Sequence, residues 1–235
     1  MPNTLHSRRI YLRFVTFCFA TYFRIYHHLR IEGAENIPQH GPLFVLINHV
    51  SFLEPFALGI GMMSRGILPG VDVYTVAKKE LFKAAPIAWF LRSIGMFPID
   101  RERTDLAAMR TMLTYLKESK MIAMAPEGTR SPTGQLQAFQ PVVAKIAVSR
   151  HIPILPVGAS GAERALPVGA KFARPVPITV RFGPVFELSE FYNTNLTDER
   201  ADQVSWVMRS HVAALLPEWM REPPPPSDRV GARKK

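Results

Sequence analysis

The chain has 235 residues, 47% hydrophobic and 20% charged, which is enough apolar material for a core and excludes a wholly disordered chain. A single cysteine, Cys18, excludes an internal disulfide framework and a Cys-rich zinc site, and the seven His show no zinc-type spacing. Lys and Arg number 29 against 19 Asp and Glu, so the chain carries +10 and favours anionic partners: nucleic acid, anionic lipid or phosphorylated substrates.

Residues 1–30 open the chain with Arg8 and Arg9, an apolar and aromatic run from Phe14 to Phe23, then Arg24 and Arg30. The run is too short, and too interrupted by Arg, to span a bilayer, which takes about 20 apolar residues. It lacks a small-residue cleavage site, so it is no clean signal peptide. Arg at both ends of an aromatic helix suits a bilayer surface and predicts an interfacial helix. A helix packed on the domain's own core is the other reading of the same stretch.

Residues 31–221 alternate strand and helix patterns. Continuous apolar runs predict strands over 43–47, 72–77, 96–99, 121–125, 152–157 and 176–182. Helical spacing predicts helices over 81–94, stopped by Gly95, and over 104–117, 141–149 and 198–216. The alternation predicts an α/β domain: a mainly parallel sheet with helices on both faces. Residues 222–235 hold Pro223 to Pro226 and end Arg233-Lys234-Lys235, a composition that predicts a disordered basic tail. There is no internal repeat, Gly-rich phosphate loop or dinucleotide fingerprint.

Four blocks carry candidate chemistry. Asn48-His49-Val50-Ser51-Phe52-Leu53-Glu54-Pro55 follows a buried strand, where ligands of open α/β sheets bind. In a continuous helix five residues rotate about 500°, so His49 and Glu54 would not share a face. They meet only if His49 lies in the turn and Glu54 in the first turn of the next helix. Glu54 would then fix the imidazole tautomer and leave the other ring nitrogen to accept a proton from a substrate hydroxyl. A solvated Glu at a helix start is the plainer alternative. Ser51 nearby fits a helix cap. The block Gly95 to Arg101 brings Asp100 and Arg101 to a second strand end, as a ligand-facing cation or as a surface ion pair. Ala125-Pro126-Glu127-Gly128-Thr129-Arg130-Ser131 offers a small-residue loop with one Arg, a kit suited to phosphate or to a plain surface turn. Ile152-Pro153-Ile154-Leu155-Pro156-Val157 carries no polar side chain and can only be a wall, of the core or of an acyl-chain pocket.

These blocks, in this order and spacing over roughly residues 30–190, resemble the glycerolipid acyltransferase family, best known for the lysophosphatidic acid (1-acylglycerol-3-phosphate) acyltransferases. The resemblance implies that His49 is the general base and that Glu54 stands where the family's orienting Asp belongs. It further implies that Arg101 helps to bind the acceptor's phosphate and that Glu127, Gly128, Thr129 and Arg130 bind the acceptor headgroup. It implies a fatty acyl thioester as cosubstrate, on coenzyme A or acyl carrier protein, with no cofactor and no metal. The partners implied are a lysophospholipid acceptor and the membrane surface, with the enzyme on its cytoplasmic face. Two departures stand out. Glu54 is one methylene longer than Asp, and Phe139-Gln140-Pro141-Val142 replaces the family's Phe-Lys-x-Gly, so that Lys and that Gly are missing. Lys78, Lys79 and Lys145 are candidates to compensate.

The activity expected is therefore O-acyl transfer to a lysophospholipid, lysophosphatidic acid first. Another lyso-lipid acceptor, or a catalytically degenerate membrane lipid-binding protein, is the alternative. Nucleic-acid binding has only the net charge in its favour; the folded part lacks aromatics beside basic residues for stacking.

Overall fold

The computed structural model describes residues 3–100 and 105–221. Seven strands form one sheet: β1 (Arg30–Glu32), β2 (Leu43–Ile47), β3 (Val73–Lys78), β4 (Met96–Ile99), β5 (Met121–Met124), β6 (Ile154–Ser160) and β7 (Thr179–Phe182). Their order is β1-β7-β6-β2-β5-β3-β4. Every pairing is parallel except β6 with β7. The mainly parallel α/β sheet expected from the alternation is present.

The helices are α1 (Asn3–Tyr26), α2 (Glu54–Met63), α3 (Ala85–Ser93), α4 (Leu106–Lys117), α5 (Pro141–Ser149), α6 (Ala162–Ala165), α7 (Asp198–Ala213) and α8 (Glu218–Arg221). Right-handed crossovers put α2 and α3 on one face of the sheet and α4 and α5 on the other. Central strands are covered on both faces, so β2 and β5 are buried at every position. That is why their sequences read as unbroken apolar runs. β6 is buried from Ile154 to Ala159 between β2 and β7, so its apolar block is a wall of the core.

Local chemistry moved several predicted boundaries. The expected helix from Leu81 is a 3₁₀ turn (Lys79–Phe82), then α3. Pro86 lacks an N–H and is tolerated only in a first turn, so α3 cannot reach back to Leu81. Gly95 ends α3 as expected: its φ is +84° and a Cβ there would lie 2.4 Å from Gly70 Cα. Asp105 caps α4 through a bond from the Ala108 N–H, so α4 starts at Leu106. β7 starts at Thr179, after Pro175 and Pro177, which cannot donate to a ladder.

α1 has two faces. Leu12 and Phe23 are buried, and Phe19 stacks on Phe56 at 4.8 Å between ring centroids. On the outer face Ile10, Phe14, Phe17 and Ile25 are 56–72% exposed. The helix is thus packed on the domain along one stripe and bears an apolar stripe to the outside. It stops at Tyr26, and Arg30 belongs to β1. No helix among the described residues is long and apolar enough to cross a membrane.

Candidate active site

The chain leaves β2 in one direction across the sheet and β5 in the other, and these strands are neighbours. Such a switch point opens a crevice at the carboxyl ends of the strands. His49 follows β2 and Glu127 follows β5, so both enter this crevice.

Asn48 makes the exit possible. It is fully buried, and its side chain exchanges both hydrogen bonds with Ala159: Nδ2 donates to the carbonyl at 2.9 Å and Oδ1 accepts from the N–H at 2.7 Å. The amide stands in for main chain at the end of the β6 ladder, so the backbone can turn out of the sheet. Each buried bond is worth about 1 kcal/mol, and more if one partner is orphaned.

The backbone of His49 is clamped by the loop after β5. Its N–H donates to Glu127 Oε1 at 2.6 Å, and its carbonyl accepts from the Ser131 N–H at 2.7 Å. Its side chain meets Glu54, the first residue of α2: Nδ1 lies 3.0 Å from Oε2. Glu54 Oε1 accepts the N–H groups of Val50 and Ser51, both at 2.5 Å. The turn between His49 and Glu54 solves the rotation problem posed by a five-residue spacing.

Glu54 is 1% exposed and the His49 side chain 13%. Burial pushes the Glu54 carboxyl well above the usual carboxylate range; Val50, Ser51 and Arg130 pull it down, and Glu163 adds to the rise. An ionised Glu54 accepts the Nδ1 proton, which makes Nε2 the proton-accepting nitrogen. Ser51 is buried; its hydroxyl donates to the Leu166 carbonyl at 2.9 Å and accepts from Leu53 N at 3.3 Å. It serves neither as the cap of α2, whose N-cap residue is Leu53, nor as an exposed nucleophile.

Glu127, which the motif implies as a headgroup residue, lies buried against the backbone of His49 and Gln137. It is 3% exposed, and its second oxygen accepts the Gln137 N–H at 2.9 Å. Both oxygens hold backbone N–H groups, so Glu127 braces the His49 turn. Burial raises its pKa to about 7, against the two N–H donors. A carboxyl whose folded pKa exceeds its unfolded value keeps its proton longer in the folded state, so stability falls as pH rises from about 4.5 to about 7. That interval amounts to about 3 kcal/mol. Glu127→Gln removes this titration. The stability of the variant relative to wild type should therefore rise by about 3 kcal/mol between pH 4.5 and 7.5 in denaturant melts. A constant difference across that range would mean that Glu127 is already ionised at the lower pH.

Gly128 has φ +78°, a conformation that suits glycine. Thr129 is exposed at the loop tip, and its carbonyl accepts from Gln137 Nε2 at 3.0 Å. Arg130 lies over Phe52, with its guanidinium carbon 3.9 Å from the ring centroid. Among the described residues its guanidinium makes no hydrogen bond or ion pair with protein. Gln140 packs beside Gly128: a Cβ on that glycine would lie 3.5 Å from Gln140 Cγ. A neutral amide therefore borders the loop where the family has Lys.

Arg101 lies outside the described residues. Lys78 and Lys79 stand at the end of β3, one strand from β5; Lys79 pairs with Asp100 at 2.5 Å. Lys145, on α5, pairs with Asp198 of α7 at 2.6 Å. Sequence reasoning missed Gln137 and Arg209. Buried Arg209, on α7, donates to the Leu136 carbonyl at 2.7 Å and the Gln137 carbonyl at 3.1 Å, which ties down the segment that braces Glu127. Nothing local in the sequence links residues more than 70 positions apart.

An apolar slot runs between α1, α2 and the sheet, lined by Leu12, Phe19, Pro55, Phe56, Gly59 and Met96. Pro55, which lines it, follows Glu54 in the first turn of α2.

A protein-family model described as Acyltransferase matches residues 28–160. The chain is 29% identical over 133 residues to the 1-acyl-sn-glycerol-3-phosphate acyltransferase of Bacillus subtilis, 57% of this chain and 63% of that protein. It is 32% identical over 132 residues to 1-acyl-sn-glycerol-3-phosphate acyltransferase alpha of Homo sapiens, 55% of this chain and 44% of that protein. It thus spans less than two thirds of the length of these relatives. The crystal structure of the 1-acyl-sn-glycerophosphate (LPA) acyltransferase from Thermotoga maritima matches with a TM-score of 0.71 and 24% identity, over 92% of this chain and 83% of that one, which shows a shared fold.

Proposed function

The chain belongs to the acyltransferase family, and from that premise we propose that it moves a fatty acyl group from an acyl thioester to the free hydroxyl of a lysophospholipid, with lysophosphatidic acid as acceptor and phosphatidic acid as product. The thioester is carried by coenzyme A or acyl carrier protein. The observation that carries this reading is the His49–Glu54 pair, 3.0 Å apart, at the crevice where β2 and β5 diverge. In the reaction His49 Nε2 takes the proton of the acceptor hydroxyl. The hydroxyl oxygen bonds to the thioester carbonyl carbon, the carbon–sulfur bond breaks, and the leaving thiolate takes the proton from the imidazolium. Glu54 stabilises that imidazolium. The chain's own groups suffice for this sequence, with Ser51 turned to Leu166 and no acyl-enzyme formed.

Arg130 supplies the phosphate clamp in this reading. Its guanidinium rests over Phe52, and its planar fork of donors suits a bidentate contact with phosphate. Arg130→Lys keeps the charge and loses the fork. Its KM for lysophosphatidic acid should rise roughly tenfold while the KM for the thioester stays near wild type. Equal rises for both substrates would remove Arg130 from the acceptor site.

In this reading the apolar slot, about 50 Å³, takes a few methylenes of the acyl chain, which need a dry wall. Gly59 lines it, and a Cβ there would meet only Pro69, at 3.4 Å. Gly59→Val places three carbons in the slot. Preference for long over short acyl donors should fall roughly 10–100-fold at unchanged folding, at about 0.8 kcal/mol per methylene lost. An unaltered chain-length profile would place the acyl chain elsewhere.

The exposed apolar stripe of α1, with Arg13 and Arg24 beside it, supports docking on a membrane surface, cytoplasmic in this reading. The neutral Gln140 beside Gly128 supports a second reading, in which the acceptor is another lyso-lipid with a different headgroup. Acyl transfer to lysophosphatidic acid, lysophosphatidylcholine and a lyso-aminolipid, compared by kcat/KM, tests the two. A clear maximum on lysophosphatidic acid supports the first, and a maximum on another acceptor the second.

A further inference from the structure

A second feature shares the face that carries α1. Phe19 lies 6.2 Å from Phe90 of α3, Tyr11 lies 6.2 Å from Trp89, and the Tyr11 hydroxyl is 3.0 Å from Ser93 Oγ. These contacts set α1 and α3 side by side. An open cleft of about 580 Å³ runs along α3, lined by Arg8, Phe82, Lys83, Trp89, Arg92 and Ser93. Three cations face it, and among the described residues no carboxylate lines it. Trp89 and Ile87 on α3 are 65% and 52% exposed, beside the outer stripe of α1. Arg92 lies 5.2 Å from the centre of the Phe82 ring.

We propose that this α1/α3 cleft binds the phosphate headgroup of an anionic bilayer phospholipid, with Trp89 and Ile87 entering the interface, as a docking site separate from the acceptor site. The inference rests on the membrane-surface part of the functional reading and adds to it a second helix and a charge-specific partner. Charge and shape select the occupant. A phosphate takes charge-assisted bonds from Arg and Lys, and an aromatic ring beside cations at an exposed apolar rim is the chemistry of a headgroup layer. A dry protein partner would leave three cations desolvated without counter-charges. The cleft runs the length of α3: Phe82 and Lys83 follow the carboxyl end of β3, while Arg92 and Ser93 close α3 just before β4 begins, at the other end of the sheet from His49.

The test uses the full chain and sucrose-loaded vesicles, one set of phosphatidylcholine alone and one of phosphatidylcholine mixed with phosphatidylglycerol. Three variants are compared with wild type. One neutralises the cleft (Arg8→Gln, Lys83→Gln, Arg92→Gln). One removes the same charge from the opposite side (Arg110→Gln, Lys117→Gln, Arg150→Gln). The third is Trp89→Ala. Each cation near an anionic surface contributes about fivefold in partitioning, so the cleft variant should lose on the order of 100-fold on mixed vesicles and little on phosphatidylcholine. The opposite-side variant should stay near wild type on both, and Trp89→Ala should weaken both. The cleft variant should acylate detergent-dispersed acceptor at the wild-type rate. The proposal is overturned by absent vesicle binding in wild type, by an unchanged phosphatidylglycerol preference in the cleft variant, or by equal losses in the two charge variants. Loss of dispersed activity in the cleft variant also overturns it, since the cleft would then belong to the acceptor site. Wild-type protein that partitions as expected yet transfers no acyl group would refute the enzymatic reading and leave the docking site standing.

Discussion

His49→Ala should abolish acyl transfer in a protein that stays folded. The loss should be about 10²–10⁴-fold in kcat, the usual cost of removing a general base. The expectation of a stable variant comes from the way the turn is built. The clamps at this position are main-chain ones, His49 N–H to Glu127 and His49 carbonyl to the Ser131 N–H, and alanine keeps both. The side chain bonds Glu54, and Glu54 retains the N–H groups of Val50 and Ser51 when the imidazole is removed. A melting temperature near wild type with activity lost is the predicted pair of results. A folded variant with wild-type turnover would show that the imidazole is not the base.

Glu54→Gln should cost as much, for a reason visible in the hydrogen bonds. Three donors converge on the carboxylate: two backbone N–H groups on Oε1 and the ring N–H on Oε2. An amide has one acceptor oxygen. If that oxygen stays with Val50 and Ser51, the NH₂ faces His49 Nδ1 and forces the proton onto Nε2. That is the wrong tautomer for a base, and the charge that would stabilise the imidazolium is gone as well. The expected loss is about 10²–10⁴-fold in kcat. Glu54→Asp keeps the charge but shortens the reach by about 1.5 Å. The turn is fitted to Glu, with both oxygens engaged, so Asp should fall below wild type and remain above Gln. Because burial raises the Glu54 carboxyl, the active form is lost as pH falls through a range above that of ordinary carboxylates. The acid limb of kcat/KM reports the Glu54–His49 pair, not either group alone. Equal rates for wild type, Gln and Asp would remove Glu54 from the mechanism.

The strands that the sequence revealed are the ones buried on both faces. Leu43 to Ile47 is an unbroken apolar run because sheet neighbours and helices cover all of it. β1 escaped notice because Arg30-Ile31-Glu32 is an edge strand with two exposed charged residues, which resembles a helix end. α1 could be read as interfacial or as core-packed, since both faces are apolar; the structure packs one stripe on the domain and leaves the other exposed. At the site, His49 and Glu54 were legible as a pair because five positions separate them and the strand end shows in the apolar run. Glu127 was legible as a motif residue but not as a brace: its partners, the N–H groups of His49 and Gln137, are backbone and leave no trace in side-chain pattern. Arg209 is the extreme case, a buried cation satisfied by carbonyls from a segment more than 70 residues away.

The central claim is acceptor-dependent acyl transfer based on His49. Its most direct measurement is thiol release from an acyl thioester by purified wild type and His49→Ala, with and without lysophosphatidic acid, with the lipid product identified by mass. The account predicts thiol release that requires the acceptor, matches phosphatidic acid formed one for one, and disappears in His49→Ala. Release that ignores the acceptor, or transfer that survives in a folded His49→Ala, would contradict it.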